Sequence, residues 1–167
     1  MQLAGLREQP IVAVAHPGGK LGQGDRAECV QLRVAQHHQA VVEQIPYARF
    51  LGISVDRKGN EITTIMPFTH DLVGNTTLPA IHGGAIGAFL EMTSVIQLLF
   101  DTACERLPKT IDVSIDYLRS GRPQTTYGRA IVTRHGRRVA NVRSEIWQEE
   151  RSKPIAVSHG HYLLTPY

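Results

Sequence analysis

One acidic side chain interrupts the longest apolar stretch of the sequence. The stretch runs from Gly83 to Phe100 as GGAIGAFLEMTSVIQLLF, and Glu91 is its only ionisable residue. A carboxylate is costly to bury without a partner, so we expect Glu91 either to reach a polar pocket or to titrate with a raised pKa, and both are features of catalytic acids and bases. The alternative is structural: Glu91 could cap a backbone group or pair with an arginine from a strand. Composition alone favours neither.

Two glycines open the same stretch. Gly83 and Gly84 follow His82 directly. The first N–H groups of a helix lack intrahelical acceptors, and the helix dipole favours negative charge there. Because glycine has no side chain, a substrate carbonyl can approach these donors as in an oxyanion hole. The alternative is that the glycines allow close packing of a helix on a sheet, but a histidine before them and a carboxylate after them favour the catalytic interpretation.

The elements that must position these residues follow from periodicity and turn signals. The apolar stretch is long and free of proline, which predicts a helix buried on most faces. Spaced apolar residues over Arg26–Gln44 predict a further helix, ended by Pro46. Runs rich in β-forming residues, separated by turn residues, predict six strands: Phe50–Asp56, Glu61–Pro67, Thr110–Leu118, Thr125–Arg134, Arg138–Gln148 and Ile155–Leu164.

A long apolar helix needs a large surface to pack against, and the six strands are the only one large enough. We therefore predict an α+β fold in which a curved antiparallel sheet wraps around a central helix. Short connections between the last four strands favour antiparallel neighbours. The length of 167 residues suits one domain. The segment His16–Asp25 is rich in Gly and Pro, so we expect residues 1–25 to form a flexible extension and residues 26–167 a single domain.

The segment IHGGAIGAFLE, from Ile81 to Glu91, resembles the His-Gly-Gly motif and acidic helix residue of the hotdog-fold thioesterases of the phenylacetate-pathway (PaaI-like) type. The likeness extends from about Ile45 to Leu164 and includes the run TIDVSIDYLRSG, Thr110 to Gly121. It implies a hotdog fold and an acyl-CoA thioesterase that needs no cofactor. Glutamate at this position occurs in a branch that includes enzymes for aromatic acyl groups, but one residue does not identify the acyl group.

The resemblance implies roles for the motif residues. The backbone N–H of Gly83 would polarise the thioester carbonyl, with His82 and Gly84 as its neighbours in the site. Glu91 would act as a general base to a water molecule, or as a nucleophile through a mixed anhydride.

Two further polar residues match positions used in the family. An asparagine that precedes the motif histidine helps to hold the carbonyl, and Asn75 lies seven positions before His82. A Ser or Thr at the start of the third strand often positions the water, and Thr110 stands at that place. The alternative for Thr110 is a β-favouring residue at the edge of a strand.

Arginines lie at two candidate sites for the phosphates of the nucleotide. Arg137 and Arg138 lie in a turn between strands, and Arg119 and Arg122 follow the third strand. Family members often bind CoA phosphates near both places, and guanidinium groups suit phosphate. The alternative is a solvated basic loop. Arg138 is our first choice.

Composition limits the remaining function classes. A net charge of +3 with few aromatic residues argues against nucleic-acid binding. Two cysteines, Cys29 and Cys104, without CxxC spacing, and an N-terminus without a long apolar segment predict a cytoplasmic protein with no membrane anchor. His159 and His161 share one face of a strand, but we expect no metal because zinc sites need three or four converging ligands.

The assembly follows from the length of the helix. Gly83 and Glu91 are eight residues apart, and at ~1.5 Å rise per residue they are separated by roughly 12 Å, so one thioester cannot use both within a chain. A two-fold dimer would set the helix N-terminus of one chain beside the middle of its partner's helix. The resemblance implies the same, as a homodimer or a tetramer of two dimers. Rival functions are a non-catalytic acyl-CoA-binding domain and a hotdog hydratase or dehydratase, although the characteristic hydratase motif is not evident.

Overall fold

A computed structural model describes residues 39–40, 42–102 and 107–164. The elements in chain order are α1 (Pro46–Phe50), β1 (Ser54–Lys58), β2 (Glu61–Met66), a 3₁₀ turn (His70–Leu72), α2 (Gly83–Thr102), β3 (Lys109–Tyr117), β4 (Thr126–His135), β5 (Val139–Trp147) and β6 (Ala156–Leu163). Cys29, Cys104, the predicted extension and most of the predicted first helix lie outside the described residues. The division into an extension and one domain stays a prediction.

The six strands form one antiparallel sheet in the order β1-β2-β4-β5-β6-β3. Consecutive strands β4, β5 and β6 are neighbours because short turns join them. The connection through α2 carries β3 to the far side of β6, so β1 and β3 are the edges. The first hairpin closes over Gly59 and Asn60, and Gly59 has the positive φ of 62° that such a turn requires.

Helix α2 lies in the concave face of this sheet. The sheet covers one side of the helix, where Ile86, Phe89, Leu90 and Ile96 are almost fully buried. By length and composition α2 could cross a membrane, with a mean hydropathy of 1.4 over Gly83–Asp101. Because the sheet packs on it, α2 is instead the core helix that the apolar stretch predicted.

The opposite face of α2 is not covered by the sheet. Gly84 is exposed, and Ala85, Ala88 and Glu91 are half-buried. These residues follow helical spacing along one side, so the part of the chain that the structure describes leaves a strip of small side chains, ending at Glu91, without a complete cover.

Of the two predicted boundaries near the N-terminus, the end of the first helix is confirmed and the start of the first strand is wrong. Residues 39–40 and 42–44 are helical as predicted, the helix ends at Gln44, and Pro46 then begins the separate helix α1. Proline fits the first turn of a helix because the N–H it lacks has no acceptor there. The predicted strand from Phe50 begins only at Ser54, because Phe50 ends α1 and Gly52, with a φ of 66°, turns the chain.

Candidate active site

Glu91 is held by a short hydrogen bond from strand β3. The hydroxyl Oγ1 of Thr110 donates to Oε1 of Glu91 at 2.5 Å. Hydrogen bonds to a carboxylate are short and strong because the acceptor is charged. The structure therefore brings together the two residues predicted as base and water-positioning group. Because Thr110 occupies Oε1, the other oxygen, Oε2, is the one left to take a proton.

A β-bulge aims Thr110 at the helix. Thr110 pairs with Tyr162 and Asp112 pairs with His161, so Ile111 is the extra residue on β3. Side chains on a strand alternate between faces, so two residues three positions apart should face opposite ways. With one extra residue in between, Thr110 and Val113 can both face α2. Bulges often re-aim a side chain near an active site in this way.

His82 caps the start of α2. Its ring Nδ1 accepts a hydrogen bond from the Gly84 N–H at 3.0 Å, and its carbonyl accepts from the N–H groups of Ala85 and Ile86. The ring is therefore neutral with its proton on Nε2 in this arrangement, a tautomer assigned from the hydrogen bond. Gly74 makes room for the ring, since a Cβ there would overlap it.

The backbone N–H of Gly83 remains available. Among the described residues no hydrogen bond from it is found, whereas the N–H of Gly84 is taken by His82. The Gly83 carbonyl accepts the hydroxyl of Tyr117 at 2.9 Å. The motif thus presents one free donor at the positive end of the helix dipole, the arrangement expected of an oxyanion hole.

Close packing on the sheet does not account for the two glycines of the motif. A Cβ on Gly84 would lie 2.9 Å from Nδ1 of His82, so glycine there leaves room for the capping ring. A Cβ on Gly83 would lie 3.5 Å from the ring of Tyr117, an ordinary contact. Packing against its own chain therefore does not require glycine at position 83.

Asn75 is engaged within its own loop. Its Oδ1 accepts the N–H of Thr77 at 2.9 Å, an Asx turn. Its role as a second partner of the substrate carbonyl stays a prediction. In that role the NH2 group of the Asn75 side chain would donate to the carbonyl oxygen.

The two halves of the predicted site lie at opposite ends of one strand. Tyr117, near the end of β3, contacts Gly83, and Thr110, near its start, contacts Glu91. The structure therefore does not bring Gly83 and Glu91 together within a chain, in keeping with the separation of roughly 12 Å expected from the helix rise.

The four arginines do not form one cluster. Arg119 and Arg122 lie where β3 ends, whereas Arg137 and Arg138 lie in the turn between β4 and β5, at the other end of the sheet. Strand β5, which runs between the two ends, has nine residues, a span of roughly 30 Å at about 3.3 Å each. One nucleotide cannot reach both groups on the same chain.

The surroundings of the two arginine pairs also differ. Arg119 donates to the Pro154 carbonyl, and Arg122 pairs with Glu149. Both line a cavity of about 480 Å³ that also contains Lys153. For Arg137 and Arg138, both exposed, no side-chain partner is found in the part of the chain that the structure describes.

His159 and His161 lie on the outer face of the sheet, away from α2. Their rings are 5.3 Å apart, and Nδ1 of His161 is 2.8 Å from Oδ1 of Asp112. No group of three or more potential metal ligands converges within residues 39–40, 42–102 and 107–164. The absence of a metal stays a prediction.

Tyr117 is the main site residue that the sequence did not single out. Alternation along β3 puts it on the same face as Val113 and Ile115, which could have placed it against the helix. Its hydrogen bond to Gly83 spans 34 positions in the chain and depends on how β3 lies along α2.

Comparisons with known proteins agree with this architecture. A family model described as the thioesterase superfamily matches residues 78–155. The medium/long-chain acyl-CoA thioesterase YigI of Escherichia coli K12 is 29% identical over 125 residues, covering 66% of this chain and 80% of the relative.

Solved structures give the same picture. A protein from Chromobacterium violaceum is 38% identical with a TM-score of 0.64, and the match covers 83% of this chain and 97% of that one. The PaaI protein from the phenylacetic acid degradation operon of Escherichia coli is 20% identical, with a TM-score of 0.67 over 78% of this chain and 92% of its own. The predicted hotdog fold is confirmed.

Proposed function

We propose that this chain, as a member of the thioesterase superfamily and a thioester hydrolase, cleaves acyl-CoA to a free acid and CoA. In this proposal Glu91 is the catalytic carboxylate. The observation that carries the proposal is the Thr110–Glu91 hydrogen bond on the face of α2 that the sheet leaves open. It holds a carboxylate where a substrate can reach it. The similarity to YigI, an acyl-CoA thioesterase, supports CoA as the carrier.

In the proposed reaction the thioester carbonyl oxygen accepts the N–H of Gly83. Oε2 of Glu91 removes a proton from a water molecule, whose oxygen bonds to the carbonyl carbon. The oxyanion that forms is stabilised by the Gly83 donor and the helix dipole. Collapse breaks the C–S bond, and the thiolate of CoA takes up the proton. In the nucleophilic alternative an oxygen of Glu91 bonds to the carbonyl carbon, the C–S bond breaks and CoA leaves as a thiolate. Water then hydrolyses the anhydride, which releases the acyl acid and restores the Glu91 carboxylate, and the proton lost by the water goes to the thiolate.

The proposal requires two chains. Glu91 of one chain and Gly83 of its partner can meet across a two-fold axis, giving two equivalent sites. In the described residues β3 pairs with β6 alone, so its other edge can pair with a second copy. The uncovered strip of α2 lies on the helix between Gly83 and Glu91 and would face the partner's helix.

The contacts of β3 suggest a register. Glu91 is tied to Thr110 and Gly83 to Tyr117, so Thr110 must lie level with the partner's Tyr117. Directly paired residues present their side chains to the same face, and Ile111 is an extra residue that does not count in the pairing. Without Ile111, Ser114 lies midway between Thr110 and Tyr117, so the two-fold axis passes at Ser114. A Ser114→Cys variant should therefore cross-link to its own copy on mild oxidation, and Asp116→Cys, exposed on the same face, should not.

The same pairing would bring the separate arginines together. Antiparallel β3 strands set Arg119 of one chain at the end of the sheet where Arg138 of the other lies. The phosphates of the nucleotide would bind there, with Arg137 and Arg138 as the unpaired cations.

The cytoplasm is a suitable compartment for this reaction, because CoA esters are handled there and thiols are kept reduced.

An assay panel tests the activity. Short, medium and long straight-chain acyl-CoAs and an arylacetyl-CoA would be compared by release of free thiol. We expect turnover of at least one class with wild-type protein and almost none with Glu91→Gln. Tight binding without turnover of any ester would replace the enzyme by an acyl-CoA-binding domain.

A hybrid dimer tests the shared site. Glu91→Gln and Gly83→Pro homodimers should each be nearly inactive, because the proline removes the N–H at a position where helices tolerate it. In the hybrid one site has both lesions and the other has neither. Activity near half that of wild type supports the shared site, and hybrids as inactive as their parents exclude it.

A further inference from the structure

Three buried serines meet on the side of α2 that faces the sheet, directly behind Glu91. Ser94 on the helix, Ser144 on β5 and Ser158 on β6 are 0%, 1% and 4% exposed. Ser94 Oγ donates to the Leu90 carbonyl at 3.1 Å, and Ser144 Oγ donates to the same carbonyl at 3.3 Å. The hydroxyls of Ser144 and Ser158 are 2.6 Å apart.

The direction of these bonds follows from counting hydrogens. Each hydroxyl carries one hydrogen. Ser144 uses its own on Leu90, so Ser158 must donate to Ser144. The Leu90 carbonyl, which as part of a helix interior also accepts an N–H, is thus held from the sheet by a chain of two hydroxyls. Within the sheet, Ser144 and Ser158 pair in register, so the chain has a rigid base.

The held carbonyl belongs to the same peptide plane as the Cα atom of Glu91. A peptide unit is planar and includes the Cα atoms on both sides, so fixing the oxygen of Leu90 fixes the position from which the Glu91 side chain leaves the helix. On the other side, Thr110 fixes the carboxylate itself. Glu91 is therefore held at its backbone by β5 and at its carboxylate by β3.

We propose that Ser144, supported by Ser158, is a positioning residue for Glu91. This rests on the proposed function of Glu91 and adds a residue from the opposite side of the helix. Without the Ser144 hydroxyl, the turn of α2 around Leu90 loses its polar tie to the sheet and Glu91 can move relative to Thr110. Catalysis that needs a defined distance between base, water and carbonyl is sensitive to such a shift.

Thr64 offers a matched control. It is also buried between the sheet and α2, and its hydroxyl lies 2.7 Å from that of Thr93 on the helix. It donates to the Gly128 carbonyl on β4, not to a carbonyl of the helix. Thr64→Val therefore removes a buried hydroxyl at the same interface without touching the peptide plane of Glu91.

The test compares kcat, KM and melting temperature for wild type, Ser144→Ala and Thr64→Val. We expect Ser144→Ala to lower kcat about 3- to 30-fold with KM little changed, and Thr64→Val to keep kcat despite a comparable loss of melting temperature. In a Glu91→Asp background, where the carboxylate is already displaced, the additional effect of Ser144→Ala on kcat should shrink.

Each possible result supports or overturns the positioning role of Ser144. A wild-type kcat in folded Ser144→Ala overturns the positioning role, and so does an equal loss of kcat in Thr64→Val, since destabilisation alone would then explain both. Glu91→Gln, measured alongside, separates this from the proposed function: if Glu91→Gln retains activity, the assignment of Glu91 fails, whereas if it is inactive and Ser144→Ala is normal, only the positioning role fails.

Discussion

The two ends of β3 hold opposite kinds of chemical group by the same means. At one end Tyr117 donates to the carbonyl of Gly83 and leaves the N–H of that residue free. At the other end Thr110 donates to one oxygen of Glu91 and leaves the second oxygen free. In each case a hydroxyl from the edge strand orients a helix residue. Among the described residues the end at Gly83 keeps a free N–H and is called the donor end, and the end at Glu91 keeps a free carboxylate oxygen and is called the acceptor end.

The difference lies in what each group needs. The donor end uses backbone, so it needs a helix start capped by His82 and no side chain in the way. The acceptor end uses a flexible side chain, so it needs a second fixed point, provided by Thr110 and the serines behind Leu90. A hydrolytic site that uses both ends has to combine two copies of the chain.

Glu91→Gln should have the largest effect. The isosteric amide still accepts the Thr110 hydrogen bond but cannot take a proton or attack a carbonyl, so we expect kcat to fall ~10²- to 10⁴-fold with little change in substrate affinity. Single turnover in water labelled with heavy oxygen tests the anhydride route, because label in the Glu91 carboxylate can arise only when water attacks the Glu91 carbon of an anhydride. A Glu91→Gln enzyme with wild-type kcat would remove Glu91 from the mechanism.

The donor end is tested by two substitutions of one residue. Gly83→Pro lacks the N–H, and we expect it to lower kcat/KM ~10²- to 10³-fold, as loss of one oxyanion donor does elsewhere. Gly83→Ala keeps the N–H, and its Cβ would make an ordinary contact with Tyr117. It should lose much less. If alanine and proline are equally harmful, space at position 83 matters and the N–H does not.

The larger elements were predictable from the sequence because single local signals fix them. Helix α2 follows from a long, proline-free apolar stretch, and the four later strands lie within two residues of their predicted limits. The failure at residues 50–53 is also local: Pro46 ends one helix and also begins another, so Phe50 belongs to a short helix, and the strand begins only after the turn at Gly52.

The contacts of the site were less predictable because they depend on register. The family motif led to Glu91, Gly83 and Thr110, but the Ser144–Leu90 hydrogen bond joins residues 54 positions apart and is set by the pairing of β5 with β6. The arginines were predicted at two places, and the sheet sets these places at its opposite ends, so which of them binds the nucleotide stays a prediction.

A smaller effect is expected from the arginines, which bind a part of the substrate far from the reacting atoms. Arg138→Ala should raise KM for an acyl-CoA several-fold more than for a truncated acyl-pantetheine thioester, because only the first carries the nucleotide phosphates, while kcat changes little. Arg122, already paired with Glu149, provides a matched comparison: Arg122→Ala should leave both KM values close to wild type. Equal effects of Arg138→Ala on the two substrates would assign Arg138 to a solvated loop.

The smallest effect concerns stability at the acceptor end, where Tyr162 lies opposite Thr110 on β6. Its hydroxyl is buried and has no hydrogen-bond partner among the described residues. The pKa of Tyr162 is raised to about 12, chiefly by burial, with smaller increases from the charges of Glu91 and Asp112 and a decrease from nearby Ser94, which does not meet hydrogen-bond geometry.

Because the native state holds this proton more tightly than the unfolded chain, Tyr162 makes stability depend on pH in one window. Below pH ~10 the phenol is protonated in both states and has no such effect. Between that pH and the native pKa of about 12, only the unfolded chain ionises, so the free energy of unfolding should fall by up to ~1.4 kcal/mol per pH unit as pH rises.

Tyr162→Phe should remove this slope and, by removing an unsatisfied hydroxyl, raise the free energy of unfolding near neutral pH by about 1 kcal/mol. Urea unfolding of both proteins at neutral and alkaline pH measures both quantities, and kcat should stay unchanged. A Tyr162→Phe protein that is less stable and loses kcat would mean that the hydroxyl has a partner at the acceptor end and takes part in holding Glu91.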